Sequence, residues 1–200
     1  ADVNRILQLN TDTLQQFGKE LFNISKRTAT SFNDASKALL EFSRQGLNAE
    51  ETLRRTNDAL TLTRLAGLGA EASVAALTAT VNGFSKSGLT TTQVLNKLVA
   101  VEQAFAVSAR DLSEGLARTG QAAQEAGADI DQLNALISAA QQRTARGGAV
   151  IGNALKTIFT RLQRSDTLDR LEEFNIAVRD VQGNTLPATT ILQNFASAYN

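Results

Sequence analysis

The sequence predicts an all-α fold, a bundle of capped antiparallel helices, with one short β-hairpin near its C-terminal end. Three observations carry this. Apolar residues make up 42 % of the chain but are mainly Ala, Leu, Ile and Val, with a single Pro, and that composition favours helix over sheet. Apolar positions recur at helical spacing through most of the length. Cap signals recur at intervals of about 20 residues, the length of a four- to five-turn helix plus its turn.

Residues 2 to about 44 read as one long helix, or two in line. Counting in sevens places Leu7, Leu14, Leu21, Thr28, Ala35 and Phe42 at one seam position. Val3, Asn10, Phe17, Ile24, Ser31 and Ala38 fall at the other. The seam is a coiled coil with another copy of the chain, or an amphipathic helix lying on its own domain. Its interruption by Thr28 and Ser31 favours the second reading.

After Gly46 the punctuation becomes regular. Asn48 caps a helix with Glu51 three residues on, and Gly67 and Gly69 mark its end. Thr90 with Gln93, Ser108 with Asp111, and Asp129 with Gln132 open three more helices. Gly147-Gly148 breaks the last pair. Apolar stripes such as Val74, Leu77, Val81 and Phe84, or Ile130, Leu133, Leu136 and Ile137, give each helix a packing face. Small residues including Ala75, Ala79, Ala100, Ala104, Ala122, Ala139 and Ala140 are expected to let backbones approach. Gly46, Gly88 and Gly127 are spaced like a helical repeat of about 40 residues, yet the units share little beyond the cap. Regular hairpins in a bundle are therefore expected. Ile176, Val178 and Val181, with the turn Gln182-Gly183-Asn184-Thr185, predict the β-hairpin, and Pro187 the first turn of a closing helix. The expected organisation is a helical lead-in over 1–44, a helical hairpin domain over 45–164, and hairpin plus closing helix over 165–200.

The composition excludes much chemistry. With no His and no Cys, the chain holds no Ser-His-Asp triad, no Cys/His nucleophile, no thiolate zinc site and no disulfide. No apolar run of about 18 residues exists, so no membrane span is expected. The opening Ala1-Asp2-Val3-Asn4-Arg5 has no apolar signal region. With no Met anywhere and a polar end at Tyr199-Asn200, a piece of a longer chain is expected. The close carboxylates Glu50-Glu51 and Asp129/Asp131 sit at predicted helix starts, where they favour the helix dipole rather than acid–base work. Glu172-Glu173 is the third such pair. Gly67-Leu68-Gly69-Ala70-Glu71-Ala72 follows no strand and is no dinucleotide loop. No catalytic, cofactor-binding or metal-ligating residue is predicted.

Two surfaces are candidates for contact with a partner or another copy. One is the seam at Leu14, Phe17 and Leu21. The other is a basic run: Arg143, Arg146, Lys156, Arg161 and Arg164 occur between Asp131 and Asp166 with no acid between them, a local charge of +5 in a chain of zero formal net charge. It reads as a solvated helix face, or as contact with nucleic acid or an acidic protein wall. No recognition-helix or aromatic platform accompanies it, so sequence-specific nucleic-acid binding is not expected. Gly147 and Gly148 are predicted to form the helix hinge within this run, both with positive φ.

Five stretches occur in a specific order: Ala76-Leu77-Thr78-Ala79-Thr80-Val81-Asn82-Gly83-Phe84; Ala109-Arg110-Asp111-Leu112-Ser113-Glu114-Gly115-Leu116 with Gly120-Gln121-Ala122-Ala123; Gly127-Ala128-Asp129-Ile130-Asp131-Gln132-Leu133; the turn from Arg146 to Lys156; and Phe174-Asn175-Ile176-Ala177-Val178 followed by Asp180 to Pro187. Together, over residues 35 to 196, they resemble the helical region of tape-measure proteins from the tails of long-tailed bacteriophages. The resemblance implies a structural, non-enzymatic protein of the virion, in the lumen or at the tip of the tail. It implies a few copies along the tail axis, a homo-oligomer such as a trimer. Tail-tube proteins, tail-tip proteins and tail assembly chaperones are the implied partners. The implied role is to help set tail length and to leave with or ahead of the DNA. The segment is too punctuated to be the gauge itself and reads as a folded domain of the tape. A helical adaptor or signalling module unrelated to virions is the alternative from another class. A peptidoglycan-cleaving domain is a third.

Overall fold

A computed structural model describes residues 2–199, and among these it contains eleven α-helices. They are α1 (Asp2–Leu7), α2 (Thr11–Arg27), α3 (Phe32–Ser43), α4 (Ala49–Ala66), α5 (Ala70–Gly83), α6 (Thr91–Ala104), α7 (Ala109–Glu125), α8 (Ile130–Thr144), α9 (Gly148–Arg161), α10 (Ser165–Glu173) and α11 (Ala188–Ala198). The helices stack in two layers. Helices α1, α3, α5, α7 and α9 lie side by side in the first, and α2, α4, α6 and α8 in the second. Each turn carries the chain from one layer to the other, so neighbouring hairpins cover one another's apolar faces. One continuous core results, running from Phe17 to Ile191.

The caps fall where the side chains dictate. Asn48 accepts from the Glu51 N–H at 2.8 Å, and Ser108 from the Asp111 N–H at 3.1 Å. Thr90 with Gln93 and Asp129 with Gln132 form reciprocal capping boxes that satisfy free amides at the starts of α6 and α8.

The expected long helix over 2–44 does not form; three helices replace it. The residues counted as weak seam positions are the boundaries. Asn10 and Ser31 are N-caps, accepting from the N–H groups of Thr13 and Asp34. Thr28 is a C-cap whose hydroxyl donates to the Ile24 carbonyl at 2.8 Å. These short polar side chains bond to nearby backbone more readily than they fill an apolar seam. The side chain of Val3, also counted in that seam, lies outside the described residues.

The expected β-hairpin is also absent. A single antiparallel bridge, Arg179 to Thr185, is the whole of it, and no strand occurs among the described residues. Asp180 explains the difference. Its Oδ1 accepts from the N–H groups of Gln182 and Asn184, and its Oδ2 from the Asn184 amide, so a side chain organises this turn. Pro187 then removes the next donor. The C-terminal segment is held instead by the Ala188 N–H, which donates to Ala126 at 2.9 Å, and by buried Ile176, Val178 and Ile191.

Helix α7 is the centre of the first layer, and glycines set how closely its neighbours approach. Where α5 meets α7, a Cβ at Gly83 would lie 2.9 Å from the backbone nitrogen of Gln121, and one at Gly120 would lie 3.1 Å from the Phe84 ring. Where α9 meets α7, a Cβ at Gly152 would lie 3.0 Å from the Cα of Gly115. One at Gly148 would lie 1.9 Å from the Asp111 carbonyl oxygen, which no rotamer change relieves. The buried Thr119 hydroxyl donates to the Gly152 carbonyl at 2.7 Å and joins the two helices by a direct bond. Most of the alanines expected to do this work, including Ala75, Ala100, Ala104 and Ala139, face outward.

The second layer has its own polar joint. Buried Asp58 of α4 accepts from the hydroxyls of Thr91 and Thr92 at 2.7 and 2.8 Å, at the amide-rich start of α6. Arg54 donates to Thr92 and pairs with Glu51.

Two predictions follow from the packing and the ion pair. Gly148→Ala should destabilise the fold by about 3 kcal/mol and Gly83→Ala by about 1–3 kcal/mol, because backbone must move. Gly18→Ala, in the middle of α2 with open space around it, should instead stabilise by about 0.5–1 kcal/mol. Urea unfolding of the three variants tests this, and equal effects at the three sites would remove the packing argument. Second, the Arg54 hydrogen bonds hold the Glu51 carboxyl below its ordinary value of 4.5, against partial burial that raises it, with Arg55 adding to the lowering. A depressed carboxylate contributes stability in full above 4.5 and loses it as the pH falls through the lowered value. The gap in melting temperature between the wild type and Glu51→Gln should therefore be present at neutral pH and close in acid; a gap independent of pH would count against the pair.

Candidate functional site

The start of α9 is built by residues from three helices. Helix α8 ends with Ala145 in the left-handed conformation, and Gly147, at φ +82°, turns the chain into α9. Gly147 has no side chain to cap the new helix. The cap comes from α7 instead: Asp111 Oδ1 accepts from the Gly148 N–H at 2.8 Å. Its Oδ2 accepts from the Ser108 hydroxyl at 2.7 Å and from the Gln141 amide at 3.3 Å. Gln141 in turn accepts from the Gly147 N–H at 2.9 Å. One carboxylate thus sits at the positive ends of α7 and α9 together, where two helix dipoles favour it. The sequence reading of Gly147 and Gly148 as a paired turn needs dividing. Gly147 supplies the positive φ, whereas Gly148 is already helical and is required by its contact with Asp111.

The basic residues line the segment that this joint positions. Arg143 closes α8, Arg146 stands in the turn, Lys156 and Arg161 lie on α9, and Arg164 follows it; all five are exposed. Arg164 is neutralised locally by Asp166 at 2.8 Å, and this guanidinium holds the Asp166 carboxyl below its usual range. Arg143, Arg146, Lys156 and Arg161 make no ion pair among the described residues. Ion pairs form elsewhere in the chain, as in Arg44–Glu41, Arg55–Glu51, Lys97–Asp131 and Arg179 with Asp169 and Glu172.

Helix α9 also shows apolar side chains to solvent. Val150 is 51 % exposed and Ile158 39 %, although Ile151, Leu155 and Phe159 of the same helix are buried. Lys156 and Thr160 border a polar groove of roughly 550 Å³ whose other wall is formed by Asn82, Arg118, Gln121 and Glu125.

The other candidate surface is placed differently. Phe17 and Leu21 are buried in the chain's own core, so the same chain covers this face of α2 at those two positions, while Leu14 is half-buried. The outward side of α2 carries Phe22, whose ring packs in a tilted contact at 6.2 Å against Phe32 of α3 and lies 4.9 Å beneath the Lys26 ammonium.

At least one member of each carboxylate pair weighed in the sequence has a structural partner. Glu51 serves Arg54 and Arg55, Asp129 caps α8, Asp131 pairs with Lys97, and Glu172 pairs with Arg179. No helix among the described residues is long and apolar enough to cross a membrane.

No solved structure matches the chain. The sequence model of a family described as phage-related minor tail protein matches residues 11–200, nearly the whole length and every helix from α2 to α11. The chain belongs to the phage-related minor tail protein family.

Proposed function

We propose that this chain is a folded, non-enzymatic module of a tail tape-measure protein, which self-associates and contacts other components of the phage tail. The observation that carries the reading is membership of a phage tail family together with the ordered series of capped hairpins from α3 to α9. Tail-tube and tail-tip proteins are the proposed partners, and the tail lumen or tip the proposed location. The basic end, from Arg143 to Arg161, is the proposed contact surface, because its cations are exposed and without intramolecular acids.

The fold bears on how such a module works. A single helix of this length would extend about 300 Å at ~1.5 Å per residue. Stacking the same residues in two layers gives up that reach. The module therefore acts through surfaces rather than through length, and the measuring falls to other parts of a tape.

Deletion of the segment from a phage's tape gene tests this. A module of this kind predicts tails that fail to assemble or to join their partners. A tail that assembles normally but shortens by ~1.5 Å per deleted residue would instead make the segment part of the gauge. Light scattering of the chain tests self-association, and a strict monomer at every concentration would contradict that part of the reading.

A further inference from the structure

We propose that a polar furrow across α5, α7 and α9 binds an extended peptide segment of a partner protein, with acidic residues over Arg118 and Lys156 and a basic residue over Glu71. The furrow follows from spacing. Arg118, Gln121 and Glu125 of α7 stand at i, i+3 and i+7, and Lys156 and Thr160 of α9 at i and i+4, so each set shares one helix face. Between these walls the surface is kept low by small residues, Ala79 and Gly83 of α5 with Ala117 and Ala122 of α7. Long polar side chains over a small-residue floor leave the groove of roughly 550 Å³ already described.

A second groove, of roughly 670 Å³, adjoins the first. Ala79 and Asn82 line both, so the two meet on α5, and the second runs on past Glu71 to Glu41 of α3. Helices are packed about 8–10 Å apart and an extended chain advances ~3.3 Å per residue, so about six residues cross from α5 to α9.

Charge fixes the kind of occupant. Arg118 and Lys156 line the same groove, both exposed and neither ion-paired among the described residues. Glu125 takes one hydrogen bond, from the Gln121 amide at 2.9 Å, and retains further acceptor capacity. At the other end Glu41 is held by Arg44, whereas Glu71, in the first turn of α5, makes no ion pair among the described residues. The furrow is therefore basic where α7 meets α9 and acidic along α5. A polyanion would match the two cations but meet Glu125 and Glu71, whereas a peptide can place opposite charges at its two ends. Its backbone also brings N–H donors for Glu125 and carbonyl acceptors for Asn82, Gln121 and Thr160. The observations favour a peptide over nucleic acid. The proposal shares only Lys156 with the basic end and does not rest on the tape-measure reading, which the gene deletion tests separately.

The probe is a Gly/Ser peptide of about ten residues, long enough to span the furrow, with two Glu at one end and two Lys at the other. One control carries Lys at all four positions, a second carries Glu at all four, and an oligothymidylate serves as the polyanion. Titration of the intact chain to about 1 mM ligand, followed by backbone-amide NMR, reads both affinity and place. The dipolar peptide should bind most tightly, shift the amides of Arg118, Gln121 and Lys156, and weaken as salt rises. Arg118→Glu/Lys156→Glu should weaken it by about tenfold and strengthen the all-Lys peptide; Glu71→Lys should strengthen the all-Glu peptide instead. These positions are exposed, so native circular-dichroism melts are expected, and the four-ligand comparison on the wild type stands without the variants. Equal affinity for the three peptides, shifts centred elsewhere, or no saturable binding overturns the proposal. Tightest binding of the oligothymidylate overturns it in favour of a polyanion.

Discussion

Helix α7 touches its neighbours through backbone where most helices touch through side chains. Gly83 against Gly120 on one side, and Gly152 against Gly115 on the other, bring three helix axes closer than any larger residue allows. Each of these glycines lowers the intrinsic stability of its helix by about 0.5–1 kcal/mol relative to alanine. Close approach offsets that cost by extending dispersion contact along the helices and by letting Thr119 reach the Gly152 carbonyl. The rest of the first layer takes its position from this arrangement. Helix α5 carries α3 beside it, and α9 carries the basic end. The Asp111 carboxylate adds an electrostatic lock at the tightest point, where Gly148 leaves room for one backbone to meet another.

The same geometry separates what the chain uses internally from what it presents. Its acids are largely engaged. Asp58, Asp111 and Asp129 serve helix starts, and Glu51, Asp131, Asp169 and Glu172 serve ion pairs. Four cations at the α8–α9 end have no such partner, and the helix that carries two of them shows a second apolar stripe to solvent. Membership of a phage tail family implies contact with other tail components, and a surface that combines unpaired charge with uncovered apolar area suits such contact.

Much of this was legible before the structure, for a definite reason. Asn48, Thr90, Ser108 and Asp129 bond to backbone three residues away, so their role is written in local spacing and each opens a helix as expected. The misreadings came from residues whose role depends on distance in space or on a competing local bond. Asn10, Thr28 and Ser31 fit a heptad count but are caps. Asp180 took over the turn where strand pairing was expected. Gly83, Gly115, Gly120 and Gly152 lie inside helices, and nothing local shows that Gly83 faces Gly120 or that Gly115 faces Gly152. The basic run was visible as a charge pattern. That Arg164 is neutralised by Asp166 and the others are not, and that Val150 and Ile158 face outward beside them, required the packed helices.

If backbone contact through α7 organises the fold, α7 should be the last helix to open. Native-state hydrogen exchange measures this residue by residue. The account predicts the slowest exchange for amides from Leu112 to Ala123, with protection approaching the global unfolding free energy. It predicts progressively faster exchange outward through α5 and α9 to α1, α10 and α11. Exchange of the α7 amides as fast as those of α10, or a most protected set centred on another helix, would contradict it.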